Sequence, residues 1–307
     1  MRNNLRSHFE MNARKIRLIG YMAGIVAGIS YGFNPLFAKH LLVDNVPIYS
    51  MLFLRYAIAA VFMGLWMLCS KESFKIKTSQ LPILILLGLL FASSSMGLFE
   101  AYNYIPAGLA TTLCYLYPVF TALVMLFLHK KPSTRTWCSI VATLAGVGLI
   151  CMPSSGFVLN TIGLSLAVWS AMSYAIYLVI VNNNQRISGL SAHTITLYAL
   201  IFGAVLFMGI TLFKGERIVG AIKGAVDWGC IVGLALIPTL ISMLALAIST
   251  RQIGATKTAV LGVFEPLTAI LIGLLVYGEK LTISIGLGIA ICVGAVIFLV
   301  TEKNATS

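Results

Sequence analysis

The run ATKTAVLGVFEPLTAILIGLLVY, residues 255–277, decides how this chain is read. It is long enough to cross a hydrocarbon core of about 30 Å, which takes roughly 20 helical residues. It nevertheless carries Glu265 at its centre, followed at once by Pro266. A carboxylate at that depth is disfavoured by about 2.5 to 3.5 kcal/mol on insertion scales, so it normally faces a protein interior or a watery cavity. Pro266 lacks a backbone donor and disfavours helical geometry at the residue before it, which predicts a kinked helix. The pair marks a candidate site for a polar substrate or a proton; the plainer alternative is an ion pair that fastens two helices.

Working outward, apolar runs of the same kind recur at 18–38, 48–68, 82–102, 107–128, 136–152, 162–181, 194–213, 229–249 and 282–301, which makes ten with the first. The composition agrees: 59% of the 307 residues are apolar and 10% charged, and the mean hydropathy is +0.97. The expected fold class is an all-α polytopic membrane protein with ten transmembrane helices. The runs are too long for barrel strands, and little chain remains for a soluble domain, so function must use the helical bundle itself. The first run is longer than a signal-peptide core and is expected to be retained.

The net charge of +12 matters through its placement. With the N-terminus inside, fourteen basic residues fall on cytoplasmic segments and five (Lys39, Lys214, Arg217, Lys223 and Lys280) on the opposite side, leaving Arg55 and Lys257 within spans. That asymmetry predicts both termini in the cytoplasm, and the short loops suit a prokaryotic plasma (inner) membrane. The basic residues of the 1–17 tail then anchor topology and touch anionic lipid, and no nucleic-acid partner is implied.

The second half can be laid over the first as an expected repeat, resting more on order and charge than on residue identity. An offset of 148 lays Pro118 on Pro266, Tyr117 on Glu265, Leu123 on Leu271, Thr134 on Thr282 and Gly146 on Gly294, with 8 of the 44 pairs from 107 to 150 identical. Upstream, Ser30-Tyr31 falls on Ser173-Tyr174, and Leu54 on Leu197. Five spans per half is an odd number, so the halves, 18–152 and 162–301, are expected to cross the membrane in opposite orientations, flanked by the basic tail 1–17 and a short cytoplasmic tail 302–307. Inverted repeats suit secondary transporters, because two similar halves give two similar-energy states that open to opposite faces.

The stretch from Gly254 to Pro266, followed by Gly278-Glu279-Lys280-Leu281-Thr282 and a glycine-rich last helix, resembles the second repeat of the drug/metabolite transporter superfamily in its EamA-like branch. Leu54-Arg55-Tyr56 is similar to that family's second helix. The resemblance covers essentially the whole chain and implies a ten-helix basket around a central cavity that carries small metabolites or drugs, often outward. The first repeat departs from the pattern, with Tyr117 where the second has Glu265 and Lys131 where it has Glu279.

Several residues join Glu265 as candidates for substrate binding or coupling. Arg55 lies about 5 Å from the middle of its span, too deep for easy solvation. It needs a carboxylate such as Glu265 or Glu100, a backbone carbonyl or an anionic substrate. Lys257 would lie about 12 Å from Glu265 along a continuous helix and roughly 80° around it, so the two cannot touch, and Lys257 can equally snorkel to the interface. Glu100 ends the third span and can reach interfacial water. These four charges sum to zero, which suits a closed network or a site for zwitterions. Among the aromatic residues, Tyr31, Tyr117 and Trp169 are the expected cavity-lining members, although most aromatics in a bundle are packing. Pro35, Pro118 and Pro266 are the expected helix kinks. Gly20, Gly24, Gly28 and Gly32 form a smooth stripe for close helix contact.

The function expected is secondary transport of small polar or amphipathic metabolites, such as amino acids or related compounds, possible drugs included, most simply as export through an alternating-access cavity. The competing class is a membrane receptor or assembly subunit that binds a metabolite without moving it. An intramembrane hydrolase lacks its constellation, since no predicted span contains an aspartate. No catalytic residue is assigned, and no nucleotide-binding motif occurs. Six cysteines without C-x-x-C pairing and four scattered histidines give no metal-ligand spacing, so no metal and no cofactor are expected. The partners implied are a small-molecule substrate and the lipid bilayer, and a homo-oligomer is left open.

Overall fold

A computed structural model of the protein describes residues 2–105, 110, 113–150, 160–220, 222–276 and 283–301. The start of the fourth span, the Gly278 to Thr282 stretch and the 302–307 tail lie outside them. All the regular elements described are helices. Helix α1 spans Arg2–Gly32, α2 Asn34–Val43, α3 Ile48–Cys69, α4 Leu81–Ala101, α5 Tyr117–Phe127, α6 Thr134–Ile150 and α7 Thr161–Asn183. Then come α8 Ala192–Lys214, α9 Ala225–Ala235, a π-helical turn Leu236–Ile241, α10 Ser242–Ile253, α11 Ala255–Leu261, α12 Phe264–Val276 and α13 Ile283–Val300.

Seven spans among the described residues are long and apolar enough to cross a membrane: 15–43, 48–69, 78–101, 161–183, 192–214, 225–253 and 255–276. The chain is therefore a multi-pass membrane protein. The sequence places the other three expected spans at α5, α6 and α13, which are shorter. The N-terminal tail also differs from expectation: α1 runs unbroken from Arg2, because residues 2–17 contain neither glycine nor proline and are mostly residues that tolerate helix well. Asp227 falls in the first turn of α9, a turn earlier than the predicted span began.

The main helix contacts pair α1 with α10 and α12, α3 with α8, α4 with α7, α5 with α7, and α6 with α13. The glycine stripe explains the first of these. A Cβ on Gly24 would come within 2.8 Å of the Ser249 hydroxyl, one on Gly28 within 2.9 Å of Phe264 Cβ, and one on Gly32 within 2.6 Å of the Glu265 carbonyl. Only hydrogen at those positions lets α1 approach α10 and α12 so closely.

Polar contacts gather at two ends of the bundle. At one, His193 Nδ1 meets Glu72 at 2.9 Å, the Gln80 amide donates to the Arg186 carbonyl, and Arg251 donates to the carbonyls of Ser188 and Leu190. At the other, Ser50 donates to Glu216 through both its backbone N–H and its hydroxyl at 3.2 Å, and Lys214 sits 4.2 Å from the Tyr49 ring. Each end joins segments that the charge pattern assigns to one face.

Candidate functional site

Three interrupted spans build the site, and each breaks in the same way. Phe33 N–H donates to the Ser30 carbonyl, Leu116 to Leu113 and Glu265 to Gly262, so each break is a tight four-residue turn inside a helical run. A proline follows each one: Pro35, Pro118 and Pro266 all fall in the first turn of the restarted helix. There a missing N–H costs no helical bond, because the first-turn donors have no partner within the helix. The expected kinks are thus breaks.

The interruption at Gly262 and Val263 puts Glu265 in the first turn of α12, where the positive end of the helix dipole favours a carboxylate by about 0.3 to 1 kcal/mol. Glu265 is 8% exposed and faces a cavity walled by Tyr31, Tyr117, Tyr174, Thr258, Gly262 and the glycine face of α1. The space open to the centre of a water-sized sphere is about 10 Å³, room for about one water. Tyr174 holds the wall together. Its ring stacks on Tyr31 at 6.4 Å and 18°, meets Tyr117 edge-on at 4.6 Å, and packs against Phe91 at 5.8 Å. The wall therefore contains both members of two repeat-related pairs, Tyr31 with Tyr174 and Tyr117 with Glu265.

Arg55 lies behind this wall. It is fully buried on α3, with its guanidinium carbon 5.8 Å from the Tyr31 ring, 5.9 Å from Tyr56 and 5.8 Å from Phe99. Its Nε donates to the Thr239 hydroxyl in the π-helical turn, and its Nη1 donates to Asn34 Oδ1 at 3.0 Å. The expected carboxylate pairing is not made. The ion pairs among the described residues lie elsewhere. Tyr31 and the α1–α2 break occupy the ground between the two groups.

The other predicted site residues stand apart from the cavity. Lys257 is half-buried on α11, outside the lining, and the break at Gly262 interrupts the continuous helix on which its distance to Glu265 was reckoned. Trp169 is 57% exposed and donates from its indole N–H to the Ser93 hydroxyl at 2.8 Å. It faces outward because α7 turns its Ser170, Ser173 and Tyr174 face inward. Glu100 accepts from Asn103 at 3.1 Å near the end of α4.

Tyr174, Asn34 and Thr239 were not singled out from the sequence. Tyr174 was legible as the repeat mate of Tyr31, and Asn34 as the residue between a break and Pro35. Thr239 follows Pro238 with no signal of its own. The structure also gathers His40, Asp44 and Asp227, whose ligand atoms lie within 4.8 Å of one another. His40 Nε2 is 3.4 Å from Asp44, the C-cap of its own helix, and 3.3 Å from Asp227, a contact that fastens α2 to α9.

The EamA-like transporter family matches residues 18–152 and again residues 161–301. The chain belongs to that family. It is 28% identical over 291 residues, covering 94% of this chain and 90% of the relative, to the uncharacterized transporter YdfC of Bacillus subtilis. It is 25% identical over 189 residues, covering 62% of this chain and 65% of the relative, to an uncharacterized transporter of Archaeoglobus fulgidus. One solved crystal structure superposes with a TM-score of 0.80 over 92% of this chain and 96% of its own, at 17% identity, which fixes the fold alone. As an EamA-like protein the chain is a membrane transporter, and the tyrosine-walled cavity beside Glu265 is its candidate solute site.

Proposed function

We propose that this EamA-like protein is a secondary transporter that exports small polar or amphipathic metabolites, amino acids or related compounds among them, by alternating access to the cavity at Glu265. Its ten membrane helices form two inverted five-helix repeats, 18–152 and 162–301, in an inner membrane with both termini in the cytoplasm. The observation that carries the reading is the cavity wall itself. It is built at the breaks of spans one, four and nine and contains repeat-related pairs from both halves, with the acid on one side only. The packing supports the inversion. Span one against span eight has its counterpart in span six against span three, and span nine against span one has its counterpart in span four against span six.

At about 10 Å³ the cavity has room for about one water, so loading a metabolite requires a helix to move. The glycine face of α1 against α12 is the surface built for such movement. Glu265, which accepts no side-chain hydrogen bond among the described residues, is free to take a substrate ammonium or a proton during the cycle.

Efflux from proteoliposomes loaded with a pooled metabolite extract, native against Glu265→Gln, tests this. The reading expects selective release of a few compounds by the native protein and loss of that release in a correctly folded variant. A pH-gradient dependence would add proton coupling. Equal release from both would reduce Glu265 to a packing residue, and no release from folded native protein would move binding without transport to the front.

A further inference from the structure

Arg55 and Asn34 are both at least nine-tenths buried, at 0% and 5% exposure, yet Arg55 Nη2 and Asn34 Nδ2 have no acceptor. The orientation of the amide is not arbitrary. Arg55 Nη1 donates to Asn34 Oδ1 at 3.0 Å, so the oxygen faces the guanidinium and Nδ2 is left as a second open donor. Thr239 cannot help, because its hydroxyl accepts from Arg55 Nε and passes its own proton to the Leu234 carbonyl at 2.8 Å. The rings of Tyr31, Tyr56 and Phe99 complete the surroundings. A buried guanidinium with no anion in ion-pair contact among the described residues, and with two adjacent donors unfilled, is an arrangement proteins rarely keep without a use for it.

We propose that Arg55 Nη2 and Asn34 Nδ2 form a receptor for a carboxylate carried by the transported solute. The proposal rests on the transporter reading and names the chemical class of its cargo. A flat guanidinium edge and an amide N–H₂ offer two donors to the two oxygens of one carboxylate, the pairing for which arginine geometry is suited. The receptor is wired to the moving parts, since Asn34 is the first residue after the α1–α2 break and Thr239 lies in the π-helical turn before α10. A carboxylate on the open Nη2 therefore binds the same guanidinium whose Nε and Nη1 hold those two irregular points together. The second site for the same solute is the Glu265 cavity, which shares Tyr31 with Arg55 and suits a cationic or hydroxylated end.

The test uses the full-length protein in detergent and in proteoliposomes. Thermal stability is measured with a pool of standard amino acids and short mono- and dicarboxylic acids, with a matched pool of their amides, and with sodium chloride at equal ionic strength. Native protein should be stabilised by the acid pool and not by the amides or by chloride. Asn34→Asp supplies its own carboxylate to Arg55. It should raise the melting temperature of the unliganded protein, abolish the acid-pool response, and lower efflux of the responding acid by about tenfold or more. Equal stabilisation by acids and amides, a response to chloride alone, no response to any acid, or an Asn34→Asp variant that keeps the acid response would each overturn the receptor. Efflux of amides from native vesicles without acid preference would overturn it while leaving transport standing. Folded native protein that releases nothing would instead count against transport.

Discussion

At Glu265 the chain accepts an unfavourable residue in an apolar run and then spends several others on its setting. Gly262 and Val263 break the helix, Pro266 restarts it, and three tyrosines from spans one, four and six close around the carboxylate. The tyrosines differ in what they contribute. Tyr174→Phe keeps the rings that meet Phe91, Tyr31 and Tyr117 and removes only the hydroxyl, so its melting temperature should stay near native while its efflux falls. Tyr174→Ala removes the ring on which the wall depends, at a cost of about 3 kcal/mol or more, and unfolding in detergent should show that loss. If the two variants unfold alike, the wall does not depend on that ring. How far these residues were legible follows from depth and pattern. A carboxylate beside a proline in an apolar run announces itself, and so did Arg55. Their separation did not, because only the three-dimensional path of the α1–α2 break shows that Tyr31 fills the ground between them. Trp169 looked deep by position along its span, but position along a helix does not say which face is inward.

Helix breaks and glycine faces are the elements that give the site its shape. The sequence made the prolines visible, but a proline two residues into a restarted helix reads on paper as a kink within one helix. Which it is depends on whether the preceding residues can form the tight turn. Here Gly262 does so with its carbonyl bonded to Glu265 N–H at 2.9 Å, while the Tyr117 hydroxyl occupies the space where its side chain would be. Gly262→Ala should therefore lower both thermal stability and efflux, and adding Tyr117→Phe should restore part of the stability by clearing the hydroxyl. A double variant no more stable than Gly262→Ala would contradict this contact. On the stripe, Gly32→Ala drives a methyl to 2.5 Å from Thr268 Cβ, whereas a Cβ at Gly294 meets nothing within 4 Å. Gly32→Ala should lower the melting temperature by several degrees, corresponding to about 1 to 3 kcal/mol, and Gly294→Ala should leave it unchanged within about 0.5 kcal/mol.

At the scale of the whole molecule, composition alone was enough for the membrane class, while the repeat offset laid Tyr31 on Tyr174 without marking Tyr174 as a site residue. The polar contacts at the two ends were not legible, since they join segments 61 to 166 residues apart, such as Arg251 with Leu190, Glu72 with His193 and Ser50 with Glu216. If one cavity opens alternately to two faces, each set of contacts closes one of its mouths. In a cysteine-free background, paired cysteines at positions 50 and 216, or at 72 and 193, can be joined by a short reducible bifunctional reagent. Efflux from proteoliposomes carrying each pair, before cross-linking, after it and after reduction, tests the account most directly. The account predicts that locking either end stops release and that reduction restores it, with each single-cysteine control unaffected. Undiminished release with either end locked would contradict alternating access through this cavity.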